Sequence, residues 1–470
     1  MIGKPATPAA YDLMLRGTLA LADVEAWGMR IDVPYLHRAM AKTAARIAVL
    51  EQRMRADPLY RRWQRKHGQS TNLGSRPQLG GILYGELGYE PKAYTAKTAD
   101  YVDPAERRAK VDHDALADID LPFVKWFIEA EKLKKLHSTN LQGVLNETEG
   151  DIARPFFHLH NVRTFRSAGS DFNFQNLPIR DPLLGKIIRR AFIARDGHRL
   201  VELDYGSQEV RVAGCYCKDQ KLIHDTVEGD MHRDMAAECF IMPKELVGKR
   251  ARQEVKSKFV FAQFYGDWYQ SCARNLWGDI EAGLENGQGH NIKAWLADKG
   301  ITELGACGED DDPDDGTFFA HIKAVEDRFW NERFHVYGQW RRDWVARYKK
   351  RGWFPMLTGF VCRGQYGRND VMNYPIQGSA FHCLLWSLIE LVHHIKAKKL
   401  RSRVVGQIHD SMLIDAHESE LDELLNVARR IMTVDIVKAW PWIIVPLVVE
   451  ADVAPAGGSW YDKHPYEIAA

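Results

Sequence analysis

Two segments far apart in the chain share one pattern, an apolar run that ends in an aspartate. The first is Val201-Glu202-Leu203-Asp204, continuing as Tyr205-Gly206-Ser207-Gln208-Glu209-Val210-Arg211. The second is Val404-Val405-Gly406-Gln407-Ile408-His409-Asp410, continuing as Ser411-Met412-Leu413-Ile414. Such runs predict strands over Arg199 to Asp204 and over Arg403 to Asp410, the latter turning back through Met412 so that Asp410 sits at a hairpin tip. A further strand is predicted over Ile443 to Val449. Strands separated by a long helix-patterned insertion point to an α+β fold, a sheet interrupted by a helical subdomain.

The first third of the chain reads as helical. Ala39, Met40, Ala44, Ile47, Leu50 and Met54 recur at helical spacing over Leu36 to Arg55. Helices are also predicted over Gln78 to Leu87 and, with basic character, over Leu121 to Leu145. Pro91 to Asp112, rich in turn formers and charge, reads as a loop. Gly308 to Gly316 reads as an acidic surface loop, and Pro313 with no distal glutamate argues against an EF-hand. No phosphate-binding Gly-x-x-x-x-Gly-Lys loop is present.

Composition narrows the partners. A formal net charge of +1 over 470 residues gives no global attraction to nucleic acid. Contact with it would have to come from local clusters such as Arg61, Arg62, Arg65 and Lys66, or Lys132, Lys134 and Lys135. Either cluster could equally be a solvated helix face. Seven scattered cysteines show no zinc spacing and no disulfide framework, so reduced thiols in a cytosol-like compartment are expected. No signal peptide opens the chain, and the apolar run near Trp442 to Val449 is too short to span a bilayer, so no membrane partner is expected.

Between the aspartates, Arg252 to Gly266 reads as a helix with cations on one side and Phe261 and Tyr265 near its end. Taken singly, an aspartate after a strand is an ordinary turn residue, and two aromatics four apart fit a core stripe. Together, two carboxylates on rigid strands and a cationic helix are what metal-assisted nucleotidyl transfer requires.

These residues give a chain that resembles the polymerase domain of family A DNA polymerases, the DNA polymerase I family, over nearly all of its length. Asp204 to Arg211 resembles the first metal motif, Asp-Tyr-Ser-Gln-Ile-Glu-Leu-Arg, with Tyr205, Glu209 and Arg211 at their spacing. Gln407 to Asp410 resembles the second, Gln-Val-His-Asp-Glu. Arg252, Lys256, Phe261, Tyr265 and Gly266 resemble Arg-x-x-x-Lys-x-x-x-Phe-x-x-x-Tyr-Gly. Thr164 and Arg166, Asn173 to Pro178, His232 in Asp-Met-His-Arg, and Asn373 to Gly378 complete the set.

The resemblance implies a right-hand fold with an antiparallel-sheet palm, helical fingers and a helical thumb. The expected division is 1–120 for the thumb and N-terminal palm-associated helices, 121–206 for the first part of the palm, 207–365 for the fingers and 366–470 for the second part of the palm. It implies DNA-directed extension of a primer with deoxynucleoside triphosphates. Two Mg2+ ions, with Mn2+ able to substitute, would be held by Asp204, Asp410 and the Tyr205 backbone. Arg252, Lys256 (or Lys258) and His232 would neutralise the triphosphate, Arg252 and Lys256 acting with the aspartates as catalytic groups. Phe261 would pack on the sugar, Tyr265 beside the templating base, and Glu209 would exclude a 2′-hydroxyl. Arg166, Asn173, Gln175, Asn373, Gln377 and His409 would meet the primer-template DNA.

Three departures from the family pattern matter. Ser411 stands where the family has Glu, a feature that resembles single-subunit RNA polymerases, although Glu209 favours DNA synthesis. Lys256 lies five rather than four positions before Phe261, so either one residue is bulged within the helix or Lys258 takes the role. The residues ahead of Leu19 are too few for a proofreading exonuclease, and no 5′-nuclease region is seen. The expectation is therefore an exonuclease-free enzyme of a bacterial or phage-infected cytoplasm, with a separate exonuclease or replisome proteins as partners. A single-subunit RNA polymerase and a non-catalytic DNA-binding relative are the alternatives.

Overall fold

A computed structural model describes residues 4–92, 94–95, 108–116, 119–179, 181–307 and 312–468. In it the two aspartate-bearing segments are neighbours in one antiparallel sheet. Across the sheet the strands run Arg403–Ile408, Ser411–His417, His198–Tyr205, Val449–Val453, His464–Pro465. Side chains alternate along the central strand, so Val201, Leu203 and Tyr205 enter the core while Glu202 and Asp204 take the opposite face. Register places Ser411 and Glu450 directly across from Asp204 on either side.

The strand predicted over Ile443 to Val449 is displaced: 441–448 pairs with no strand, and the sheet strand is Val449–Val453. Ile443, Val445 and Leu447 are buried while Ile444 and Val448 are exposed, so the alternation is real. Pro446 has no N–H to give a ladder, and its carbonyl instead accepts from Arg211 at 2.5 Å.

Against the core face of the sheet lies the helix Arg368–Ala397, in which most positions from Ile376 to Ile395 are buried. Tyr205 ties strand to helix, its hydroxyl 2.9 Å from both the Ser387 hydroxyl and the Met432 carbonyl. Gly378 passes so close to the backbone that a Cβ would lie 2.4 Å from the Thr164 carbonyl, so only glycine fits there.

The N-terminal helices start where capping chemistry dictates. Thr7, Asp32 and Asp57 accept first-turn N–H groups ahead of Pro8–Trp27, Val33–Ala56 and Pro58–His67, each with proline in its first turn. The predicted helix at Gln78 to Leu87 is shorter, Arg76–Leu83, and Leu121 to Leu145 is one helical run with an i→i+5 turn over Leu136–Leu141. Pro122–Lys135, expected with the palm, packs on Val33–Ala56.

Apolar residues gather in two cores. One runs from the N-terminal helices through the sheet; the other is built from Val210 to Tyr337, with Ile376 and Ala380 joining it. Phe354, Met356 and Phe360, expected with the fingers, belong to the first core, on strands Trp353–Pro355 and Phe360–Arg363 that join Lys4–Pro5 in a small sheet. Most of the predicted loop at Pro91 to Asp112, and residues 308–311 of the acidic loop, lie outside the described residues. No helix among the described residues is long and apolar enough to cross a membrane.

Candidate active site

Each aspartate is aimed by a strained turn. Ser207, just after the central strand, adopts φ 52°, and His409, beside Asp410 in the hairpin turn, adopts φ 50°. For a non-glycine residue the left-handed region costs roughly 1–2 kcal/mol, so the surrounding sheet must enforce both turns. The Tyr205 N–H donates to the Asp410 carbonyl at 3.3 Å, locking the two turns together. Asp204 is mostly buried, and burial, then Asp410, Glu202 and Glu450, push its carboxyl up to about 7. Its Oδ1 is buried with no hydrogen-bond partner.

That unmet demand for positive charge fits a metal ion. Magnesium is usually held by one or two carboxylates plus substrate phosphates and water rather than by a protein cage. Among the described residues no group of three or more His, Cys, Asp or Glu side chains is placed to hold a metal ion by itself. Asp204, Asp410 and the backbone carbonyl of Tyr205 are the donors that would serve; the Tyr205 ring itself is 2% exposed and committed to the core.

Beside the aspartates opens a cleft of about 380 Å³ lined by Arg166, Glu209, Phe261, Tyr265, Asn373, Gln377, His409 and Asp410. Eight residues singled out from the sequence thus meet in one cavity. Glu209 lies in the first turn of Gln208–Cys217 and accepts from the Tyr265 hydroxyl at 2.6 Å, with Arg166 3.6 Å away. Burial raises the Glu209 carboxyl while Tyr265 and Arg166 pull it down. Asn373 donates to the Tyr265 carbonyl at 2.8 Å, fixing the C-terminal end of the helix that carries the tyrosine.

The cationic helix is not one regular helix. Lys249–Val255 and Phe261–Tyr265 are joined by an i→i+5 turn over Lys256–Val260, closed by the Phe261 N–H on the Lys256 carbonyl. Lys256 therefore lies 5.3 Å over the Phe261 ring, and His232 meets the same ring edge-on at 5.5 Å. Arg252 is held by Asp230 at 2.9–3.0 Å. Lys258 faces away and is engaged by Asp279 and Glu254. His232 differs from expectation: burial, then repulsion from Lys256 and Arg252, pushes it down to about 4, so it is a neutral N–H donor rather than a cation.

Two of the expected DNA contacts, buried Gln175 and half-buried Asn173, make hydrogen bonds within the protein. Gln175 is 8% exposed, and its Nε2 donates to the Ser167 hydroxyl at 2.7 Å and to the side-chain Oε1 of Gln407 at 2.6 Å. Gln407 in turn donates to the His409 carbonyl at 2.9 Å, so this chain of amides supports the hairpin turn. Asn173 Oδ1 accepts from the Asn176 N–H at 3.2 Å. Ser411 Oγ turns back to the Ile408 carbonyl at 3.1 Å and is buried in the hairpin. Tyr337 and Phe264, which also line the cleft, had no signal in the sequence because only tertiary packing delivers them.

Comparison with known proteins places this geometry. The family described as DNA polymerase family A matches residues 40–284 and 349–462. DNA polymerase I of Chloroflexus aurantiacus is 27% identical over 98% of this chain and 44% of its own length. The thermostable DNA polymerase I of Thermus aquaticus is 28% identical over 94% of this chain and 46% of its own. This chain thus spans about half the length of the curated relatives it matches. Among solved structures, the POL domain of Pol1 from M. smegmatis, in complex with DNA primer-template and dNTP, superposes with a TM-score of 0.74 at 24% identity, over 96% of this chain and 70% of that one.

Proposed function

The chain belongs to DNA polymerase family A, and from that premise we propose that it extends a DNA primer with deoxynucleotides on a DNA template. The observation that carries the proposal is the junction of the Asp204 and Asp410 turns, which joins the unsatisfied Asp204 carboxylate to Asp410 in the lining of a cleft walled by Glu209, Phe261 and Tyr265. Two magnesium ions bound there would lower the pKa of the primer 3′-hydroxyl and offset charge on the leaving phosphates.

The chain's own residues do the rest. Arg252 and Lys256 present fixed positive charge to the triphosphate, and His232 adds a neutral N–H, so charge developing in the transition state meets donors already in place. Phe261, held between Lys256 and His232, offers a flat face to the sugar. Glu209, pinned by Tyr265, fills the space that a 2′-hydroxyl would need. Arg166 and Gln377 border the cleft where acceptors shared by nearly all base pairs can be sensed in the minor groove.

The test is primer extension with magnesium on a DNA template, run with deoxynucleotides and with ribonucleotides. Extension by deoxynucleotides alone is expected, and Asp204→Ala or Asp410→Ala should abolish it while primer-template binding persists. Ribonucleotide-only extension, or full activity in either variant, would refute the assignment.

A further inference from the structure

We propose that Asp279, on the neighbouring helix Tyr269–Glu281, is a positioning residue that acts through Lys258 to keep Lys256 facing the nucleotide. This rests on the polymerase reading of the site. The family pattern places its lysine four positions before the phenylalanine; here Lys256 lies five before Phe261. In a regular α-helix five positions amount to about 140° out of phase, which would turn Lys256 off the face that carries Phe261.

The i→i+5 turn over Lys256–Val260 removes that offset, and the ammonium of Lys256 sits 5.3 Å from the Phe261 ring. Such turns disturb the helical ladder and need outside support. Two polar supports are present. Ser257 Oγ donates to the Gln253 carbonyl at 2.9 Å and the Glu254 carbonyl at 3.3 Å, covering acceptors within the disturbed turn. Lys258, two residues on and so on the far side of the helix, is bound by Asp279 and, at 3.1 Å, by Glu254. The Asp279 contact is the polar tie from the turn to a different helix, beside the apolar packing of Phe259 on Phe329. Lys258 and Asp279 are both about three-quarters buried, so water screens the pair less than it would a surface pair. Without this tie the turn can relax toward regular helix, and Lys256 rotates away from the triphosphate.

The test compares Asp279→Ala in the natural chain and in a chain with Ser257 deleted, where four-residue spacing is restored and regular helix alone sets the phase. In the natural chain Asp279→Ala should raise the KM for deoxynucleotide about tenfold and lower kcat as well, since Lys256 meets charge on both the bound triphosphate and the transition state. In the deletion background the same substitution should change nothing. An unchanged KM in the natural chain, or an equal effect in both backgrounds, overturns the proposal. Should the deletion chain not fold, the exchanged pair K258E with D279K is expected to recover the KM lost in Asp279→Ala, and no recovery overturns the proposal as well. A natural chain that extends no primer would defeat the polymerase reading itself, whereas an active chain indifferent to Asp279→Ala defeats only this inference.

Discussion

On the proposed reading, the Glu209 carboxylate would set sugar selectivity by being held in place. It accepts from Tyr265 at 2.6 Å and faces Arg166, so a 2′-hydroxyl in its place must break a charge-assisted hydrogen bond. That costs about 1.5–3 kcal/mol, or roughly 10- to 100-fold in selectivity. Glu209→Ala should therefore raise ribonucleotide incorporation relative to deoxynucleotide by that factor, measured as the ratio of kcat/KM values. Tyr265→Phe, which frees the carboxylate without removing it, should relax selectivity less; unchanged ratios in both would remove Glu209 from the gate. At this scale the sequence was informative where chemistry and position coincide, as at Asp204, Glu209, Phe261 and Asp410. It was silent where a residue acts through another. Gln175 is buried and supports the His409 turn through Gln407, a contact that cannot be read from one amide in a loop. His232 looked like a cation, but burial, then Lys256 and Arg252 brought in from another helix, push it down to about 4.

Elements were legible in proportion to how local their causes are. The helical period of Leu36 to Arg55 is written within a few residues, and that helix formed as Val33–Ala56, while the caps at Thr7, Asp32 and Asp57 are equally local signals that the sequence reading did not use. The turn at Lys256–Val260, one of two alternatives the sequence left open, and the displaced strand at Val449 depend on partners elsewhere, the helices packed on the turn in one case and the strand His198–Tyr205 in the other. The strand leading to Asp410 shows the same dependence. Its start is fixed by Glu420, which accepts from the Arg401 and Ser402 N–H groups, each at 2.9 Å, and from the Ser402 hydroxyl at 2.6 Å. Burial alone would raise this carboxyl, but these bonds outweigh it and hold it down to about 2. A carboxyl lowered on folding stabilises the native state above its ordinary value, and that stability is lost as pH falls toward 2. Glu420→Gln should thus be less stable than the natural chain near neutral pH by about 1.5–3 kcal/mol. In denaturant titrations the gap should close progressively below about pH 4.5, the ordinary range of a glutamate; a gap independent of pH would show that ionisation of Glu420 is not its cause.

For the molecule as a whole, a net charge of +1 means that any grip on DNA must be concentrated somewhere. The sequence offered two basic clusters and no means of choosing between them. Folding separates them. Lys132 is paired with Asp181, and Lys134 with Glu51 and Glu131, so these cations are already answered within the protein. Arg61, Arg62 and Arg65 are exposed along Pro58–His67, around an open recess, and make no ion pair among the described residues. Trp63, on the opposite side of that helix, is fully buried, with its indole N–H donated to Gln78 at 2.8 Å, so the arginine face is rigidly presented. Each phosphate neutralised by a cation contributes about 0.9 to the slope of log K against log salt on duplex DNA. Replacing Arg61, Arg62 and Arg65 together by Ala should weaken primer-template binding and flatten that slope by up to about 2.7. Replacing Lys132 and Lys134 should leave the slope within error, though the lost ion pairs can lower stability slightly. Measuring both slopes by fluorescence anisotropy separates the two faces. Equal flattening would mean that the internal pairs open on DNA, and no flattening in the arginine variant would move the duplex grip to another surface.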